Sequence, residues 1–138
     1  MTSASSHVSW RWLAAALATL AFAGCATVAA TPELAVRERA VGHWKARMAN
    51  DTEAAYAYMP PSYRAVKSLD SYKKSLGDVQ LTAAQVERVT CESADKCVAT
   101  AKIEAKVTLR RANTPPIVTY YDETWIRENG QWWVFPAQ

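Results

Sequence analysis

At 138 residues with a formal net charge of +3, the chain holds enough sequence for one small domain and one core. So mild a basic balance is no nucleic-acid footprint. Three cysteines and two histidines, none at ligand spacing, give no zinc site of about four ligands.

The chain opens on an apolar stretch. Trp12 to Ala23 has only Thr19 as a polar residue, with Arg11 before it. That length suits a signal-peptide h-region and falls short of the about 20 apolar residues a bilayer span needs. Leu20-Ala21-Phe22-Ala23-Gly24-Cys25 then resembles the lipobox of a bacterial lipoprotein, with Phe22 where Leu is usual. The resemblance implies a leader over 1–24, cleavage before Cys25, and lipid on that cysteine holding the domain to a membrane by several acyl chains. Ala26, where an Asp favours inner-membrane retention in Gram-negative lipoproteins, points to the outer membrane of such a host. Two other readings stay open: an ordinary secretory peptide cut after Ala21-Phe22-Ala23, and an uncleaved anchor.

Residues 25–31 read as a tether and 32–138 as one domain. Thr31, Pro32 and Glu33 form an N-cap, an N1 proline and a first-turn acid, so a helix is predicted to about Ala49. Leu34, Val41, Trp44 and Met48 fall on one stripe at helical period. Gly42 inside that helix points to a close packing contact. Asn50-Asp51 breaks it, and Asp51 or Thr52 caps a short second helix that Pro60-Pro61 ends. A third is predicted over Ser68–Leu76, with Leu69, Tyr72 and Leu76 on one side and Gly77 as its stop.

Strands follow. From Cys97 to Leu109 apolar and polar residues alternate, the mark of a strand with one solvated face. In an exported chain Cys91 and Cys97 meet an oxidising compartment, and their spacing suits a bridge at the neck of a β-hairpin. That register sets Val89 opposite Ala99. After Pro115-Pro116 a strand runs from Ile117 to Arg127. Asn129-Gly130 signals a type I′ hairpin turn, placing Ile126 against Trp133 and Trp125 against Val134. Helices first and an antiparallel sheet after make an α+β domain.

Two stretches add a family likeness. Trp44–Asp51 with Ala54–Arg64 is a helix, an Asp turn and an aromatic helix ending in Pro and Tyr-Arg. Glu123–Trp133 is a Trp…Asn-Gly…Trp hairpin. In this order they resemble the nuclear transport factor 2-like (cystatin-like) superfamily, and more narrowly small proteobacterial lipoproteins of that fold. The resemblance implies helices packed on a curved antiparallel sheet, a cone. It also implies a pocket, a homodimer through the sheet, and a function anywhere between isomerase, dehydratase or cyclase and non-catalytic binding.

Chemistry-bearing candidates are few. His43 sits on a flank of the Val41–Trp44 stripe and is expected at the surface or rim. Alternation turns one of Asp122 and Glu123 inward, where it serves as a general base or pairs with Arg127 or a lysine. Tyrosine hydroxyls of Tyr56, Tyr58, Tyr63, Tyr120 and Tyr121 can reach a pocket. Trp44, Tyr56, Tyr120, Trp125 and Trp133 are the expected pocket walls. No Ser-His-Asp set, phosphate loop or cofactor fingerprint is present. The leading expectation is a membrane-anchored, periplasm-facing domain that binds a small apolar ligand or an envelope protein. The rivals are an isomerase- or dehydratase-type enzyme using Asp122 or Glu123, and an envelope-assembly accessory with an exposed apolar patch.

Overall fold

A computed structural model describes residues 30–77, 79–106 and 115–135. The leader, Cys25 and most of the tether lie outside them, as do residues 107–109 of the predicted long strand.

Helix α1 spans Pro32–Met48. Thr31 caps it, its hydroxyl oxygen accepting from the Leu34 amide, and proline occupies N1, where its missing N–H is no loss. Asn50, at a φ of 55°, turns the chain out of it. Asp51 then caps α2 (Thr52–Tyr56), accepting from the Ala54 amide at 2.9 Å. The Pro60-Pro61 pair that ends this turn also starts a helix that the sequence pattern does not announce, α3 (Pro61–Val66). Pro61 is again an N1 proline, so the residue that stops one helix preorganises the next. Ser68 caps α4 (Leu69–Ser75), and Gly77 at a φ of 62° follows it.

Four strands follow in an antiparallel meander ordered β1-β2-β3-β4: Gln80–Ser93, Lys96–Lys106, Ile117–Glu128 and Gln131–Phe135. The predicted registers hold. Cys91 faces Cys97, Val89 faces Ala99, Trp125 faces Val134 and Ile126 faces Trp133. A disulfide joins Cys91 and Cys97, stapling the neck of the β1–β2 hairpin. Asn129 and Gly130 both take positive φ, as a type I′ turn requires.

Helix α1 lies on the sheet's inner face. Val36, Ala40, Ala46 and Trp44 from the helix join Val86, Cys97, Ala99 and Trp125 from the sheet in the core. Each fully buried aliphatic side chain there contributes roughly 1.5–3 kcal/mol. The buried stripe is rotated from the predicted one, with Leu34 58% and Val41 51% exposed. The reason lies across the interface. Trp125 already fills the middle of the sheet, so the helix meets it with small Ala40 and polar His43, not with its largest aliphatics. Gly42 makes the expected close approach: a Cβ there would overlap the Tyr58 hydroxyl. The Tyr58 carbonyl in turn accepts from the Val134 amide at 3.1 Å, tying the α2–α3 corner to β4.

Candidate functional site

Strand alternation decides which of the two adjacent acids on β3 turns inward. Asp122 is exposed and accepts from the Thr100 hydroxyl at 2.6 Å. Glu123 is buried, at 3% exposure. Directly across from it on β2 stands Ala99, whose side chain is only a methyl group, so the space above the carboxylate is open to α1. His43 enters there. Its Nδ1 lies 2.9 Å from Glu123 Oε1, and the imidazole is itself only 2% exposed. This corrects the surface position expected for His43. Glu123 pairs with that histidine rather than with Arg127 or a lysine. A carboxylate accepts hydrogen bonds, so Nδ1 donates; in the neutral imidazole Nε2 is then an acceptor. Trp44, Tyr58 and Trp125 surround the ring, with centroids 5.7–6.3 Å away, and hold its orientation.

Beside the pair lies a cleft of about 280 Å³, lined by His43, Glu123, Arg47, Tyr63, Tyr72 and Met59 among others. Tyr72 reaches it from α4. Three residues that line this cleft each carry a fully buried polar atom with no hydrogen-bond partner among the described residues: His43 Nε2, Glu123 Oε2 and the Tyr72 hydroxyl. Burial pushes the Tyr72 phenol above its ordinary value of 10.0, and the Arg47 guanidinium opposes that shift. The Glu123 charge adds to the rise, so tyrosine and carboxylate share one electrostatic environment. Arg47 lies close to the Tyr72 hydroxyl without a hydrogen bond of standard geometry. Leaving a buried donor or acceptor unpaired costs roughly 1–3 kcal/mol. Three on residues of one cleft mark where buried polar groups are concentrated. The other unpartnered atoms, Arg39 Nε, Trp44 Nε1 and Trp125 Nε1, do not line this cleft.

No family model matches the chain, and no curated protein matches it. The fold is similar to a solved one. The solution structure of a SEC-C motif containing protein from Rhodopseudomonas palustris aligns over 75% of this chain and 74% of that one. The TM-score is 0.52 at 15% identity, a likeness of fold alone. This overturns the nuclear transport factor 2-like resemblance, since that protein's fold is a different one from the cone. What stands is an α+β domain with a four-stranded antiparallel sheet and short helices. The motifs that suggested the cone are a helix–turn–helix corner and an Asn-Gly hairpin. Both are local structures that many α+β domains can carry, and neither specifies how the sheet curves.

The five aromatics expected as pocket walls are dispersed. Trp125 is sealed in the core, and Trp44 is buried beside an apolar surface groove with Val41 and Val86. Tyr56 packs on Tyr72 and donates to the Lys67 carbonyl. Tyr120 is 64% exposed. Trp133 lies beneath two guanidiniums, Arg39 at 5.3 Å and Arg64 at 5.5 Å. None of the five lines the cleft over His43, whereas Glu123 and Tyr63 do. Sequence reasoning names His43 but places it at the surface or rim, and it does not connect Arg47 or Tyr72 with a cleft. A signal for His43 exists: it lies seven residues after Val36 and three after Ala40, on the second stripe that α1 offers. Among the described residues no group of three or more His, Cys, Asp or Glu could hold a metal. No described helix is long and apolar enough to cross a membrane.

Proposed function

We propose that the chain is a lipid-anchored envelope protein whose domain binds a small polar ligand in the cleft over His43 and Glu123. The observation that carries the binding half is that three residues lining one cleft, His43, Glu123 and Tyr72, each hold a buried polar atom without a hydrogen-bond partner among the described residues. A ligand hydrogen-bonded to these atoms would relieve their desolvation and gain orientation from them. The anchor rests on the Leu20–Cys25 run, and the Cys91–Cys97 bridge suits the oxidising compartment such export implies.

Native mass spectrometry of membrane-extracted full-length protein tests both halves. The expected result is cleavage before Cys25, added lipid on it, and a small co-purified ligand that His43→Gln protein fails to retain. An unmodified Cys25 would end the anchor, and equal ligand retention by both proteins would end the cleft reading.

A second reading is favoured by the hydrogen bond itself. Glu123 holding Nδ1 leaves Nε2 to accept a proton from a substrate carbon or hydroxyl, with the carboxylate stabilising the imidazolium that forms. Tyr72 would then donate to the oxyanion that develops. This is chemistry of the isomerase or dehydratase type. It predicts deuterium uptake from solvent into the ligand held by the unaltered protein; a held ligand that takes up no deuterium rules it out.

A further inference from the structure

We infer that the ligand of this cleft is a small hydroxylated carboxylate, its hydroxyl donating to the His43–Glu123 pair and its carboxylate held by Arg47. The inference rests on the binding reading above and assigns the ligand's two ends. At the floor, Glu123 Oε2 accepts, as does Nε2 of a neutral His43, so a ligand group that donates satisfies either. An inner carboxylate would face Glu123 and be repelled; a hydroxyl satisfies either acceptor.

A contact for the ligand's second polar group is offered by Arg47. It lies one helical turn past His43 on α1 and lines the same cleft. Its guanidinium sits over the Trp44 ring at 5.7 Å and makes no ion pair among the described residues. A guanidinium is charged at any working pH and matches a carboxylate with two parallel hydrogen bonds. Arg47 also borders a neighbouring cleft that carries Lys73 and Asp51. Asp51 keeps its negative charge while it caps α2 and offsets Lys73 at that edge, which leaves Arg47 as the net positive charge there. Between the ends, Tyr63, Tyr121 and Met59 supply aromatic and apolar wall. The volume of about 280 Å³ is of the size that holds a small molecule.

Three probes that differ at one end each test this by calorimetry on the full-length protein: para-hydroxyphenylacetate, phenylacetate, which lacks the hydroxyl, and methyl para-hydroxyphenylacetate, which lacks the charge. The hydroxy acid is expected to bind at least tenfold more tightly than either control, the scale of one well-placed charged or hydrogen-bonded contact. Arg47→Met should bring acid and ester to equal affinity, and Arg47→Lys should restore part of the difference. His43→Gln should erase the preference for the hydroxyl and keep the preference for the acid. Equal binding of acid and ester by the unaltered protein overturns this inference while the hydroxyl preference, if kept, leaves the binding reading standing. Equal binding of the hydroxy and deoxy acids sinks the binding reading and this inference with it. Failure of all three probes to bind at millimolar concentration overturns both. If Arg47→Met does not fold, the acid–ester ratio of the unaltered protein and its decline with added salt decide the matter alone.

Discussion

His43 Nδ1 and Glu123 Oε1 lie 2.9 Å apart, joining the middle of α1 to the middle of β3 inside an otherwise apolar layer. Each side chain answers the other's need. The carboxylate receives a donor, and the imidazole is fixed in one tautomer and one orientation. Removing either partner leaves the other buried and unpaired.

A double-mutant cycle should therefore show strong coupling. His43→Ala and Glu123→Ala are each expected to destabilise the domain, and the double variant by less than their sum. The coupling energy is expected at about 1–3 kcal/mol, read from urea unfolding. Additive losses would mean that the two side chains contribute independently.

Gly42 gives a test with an inverted sign. Gly to Ala inside a helix normally stabilises by about 1 kcal/mol. Here the new methyl group would overlap the Tyr58 hydroxyl, so Gly42→Ala should destabilise by roughly 1–3 kcal/mol. Adding Tyr58→Phe, which removes the obstructing oxygen, should recover much of the loss. Thermal unfolding of the four combinations measures it.

Much of the sheet is legible in the amino-acid order alone, and the contrast with the site is physical. Strand pairing follows from the spacing of Cys91 and Cys97 and from Asn129-Gly130, because hairpin registers are set by neighbours in sequence. Thr31, Asp51 and Ser68 mark their helix starts for the same reason. The buried stripe of α1 is hidden because Leu34 and Val41 outweigh Ala40 and His43 in any hydrophobicity reading. Which of them is buried depends on Trp125 and Glu123, far along the chain. The family likeness fails in the same way, resting on local motifs that leave the global arrangement open. Arg47 and Tyr72 carry no local sign of sharing a cleft.

The Cys91–Cys97 bridge closes a short loop, and the chain-entropy contribution of such a loop is about 2 kcal/mol. Reduction, or replacement of both cysteines by alanine, should lower the unfolding free energy by that amount while leaving the hairpin register intact. Urea titrations with and without a thiol reductant measure the loss, and unchanged midpoints would show that the bridge contributes nothing.

Tyr72 predicts behaviour at alkaline pH. Its folded phenol is raised above 10.0 chiefly by burial, so between that value and the folded one the unfolded chain has released a proton the folded chain still holds. Stability from this group is complete below pH 10 and falls as pH rises through the folded value. Tyr72→Phe should flatten that decline, measured as the midpoint of chemical unfolding from neutral to strongly alkaline buffer. An equally steep decline in both proteins would rule the assignment out.

The meander places every strand beside its neighbour in sequence, so the hairpins can form early from short loops. The His43–Glu123 contact spans 80 residues and requires the helix to dock on a sheet already in register. Contacts of such separation are the slow ones to close. Ligand binding at the cleft, as proposed, would accordingly be a late readout of folding. A chain with native hairpins but an undocked α1 would show strand signal without the His43–Glu123 pair and without the proposed binding.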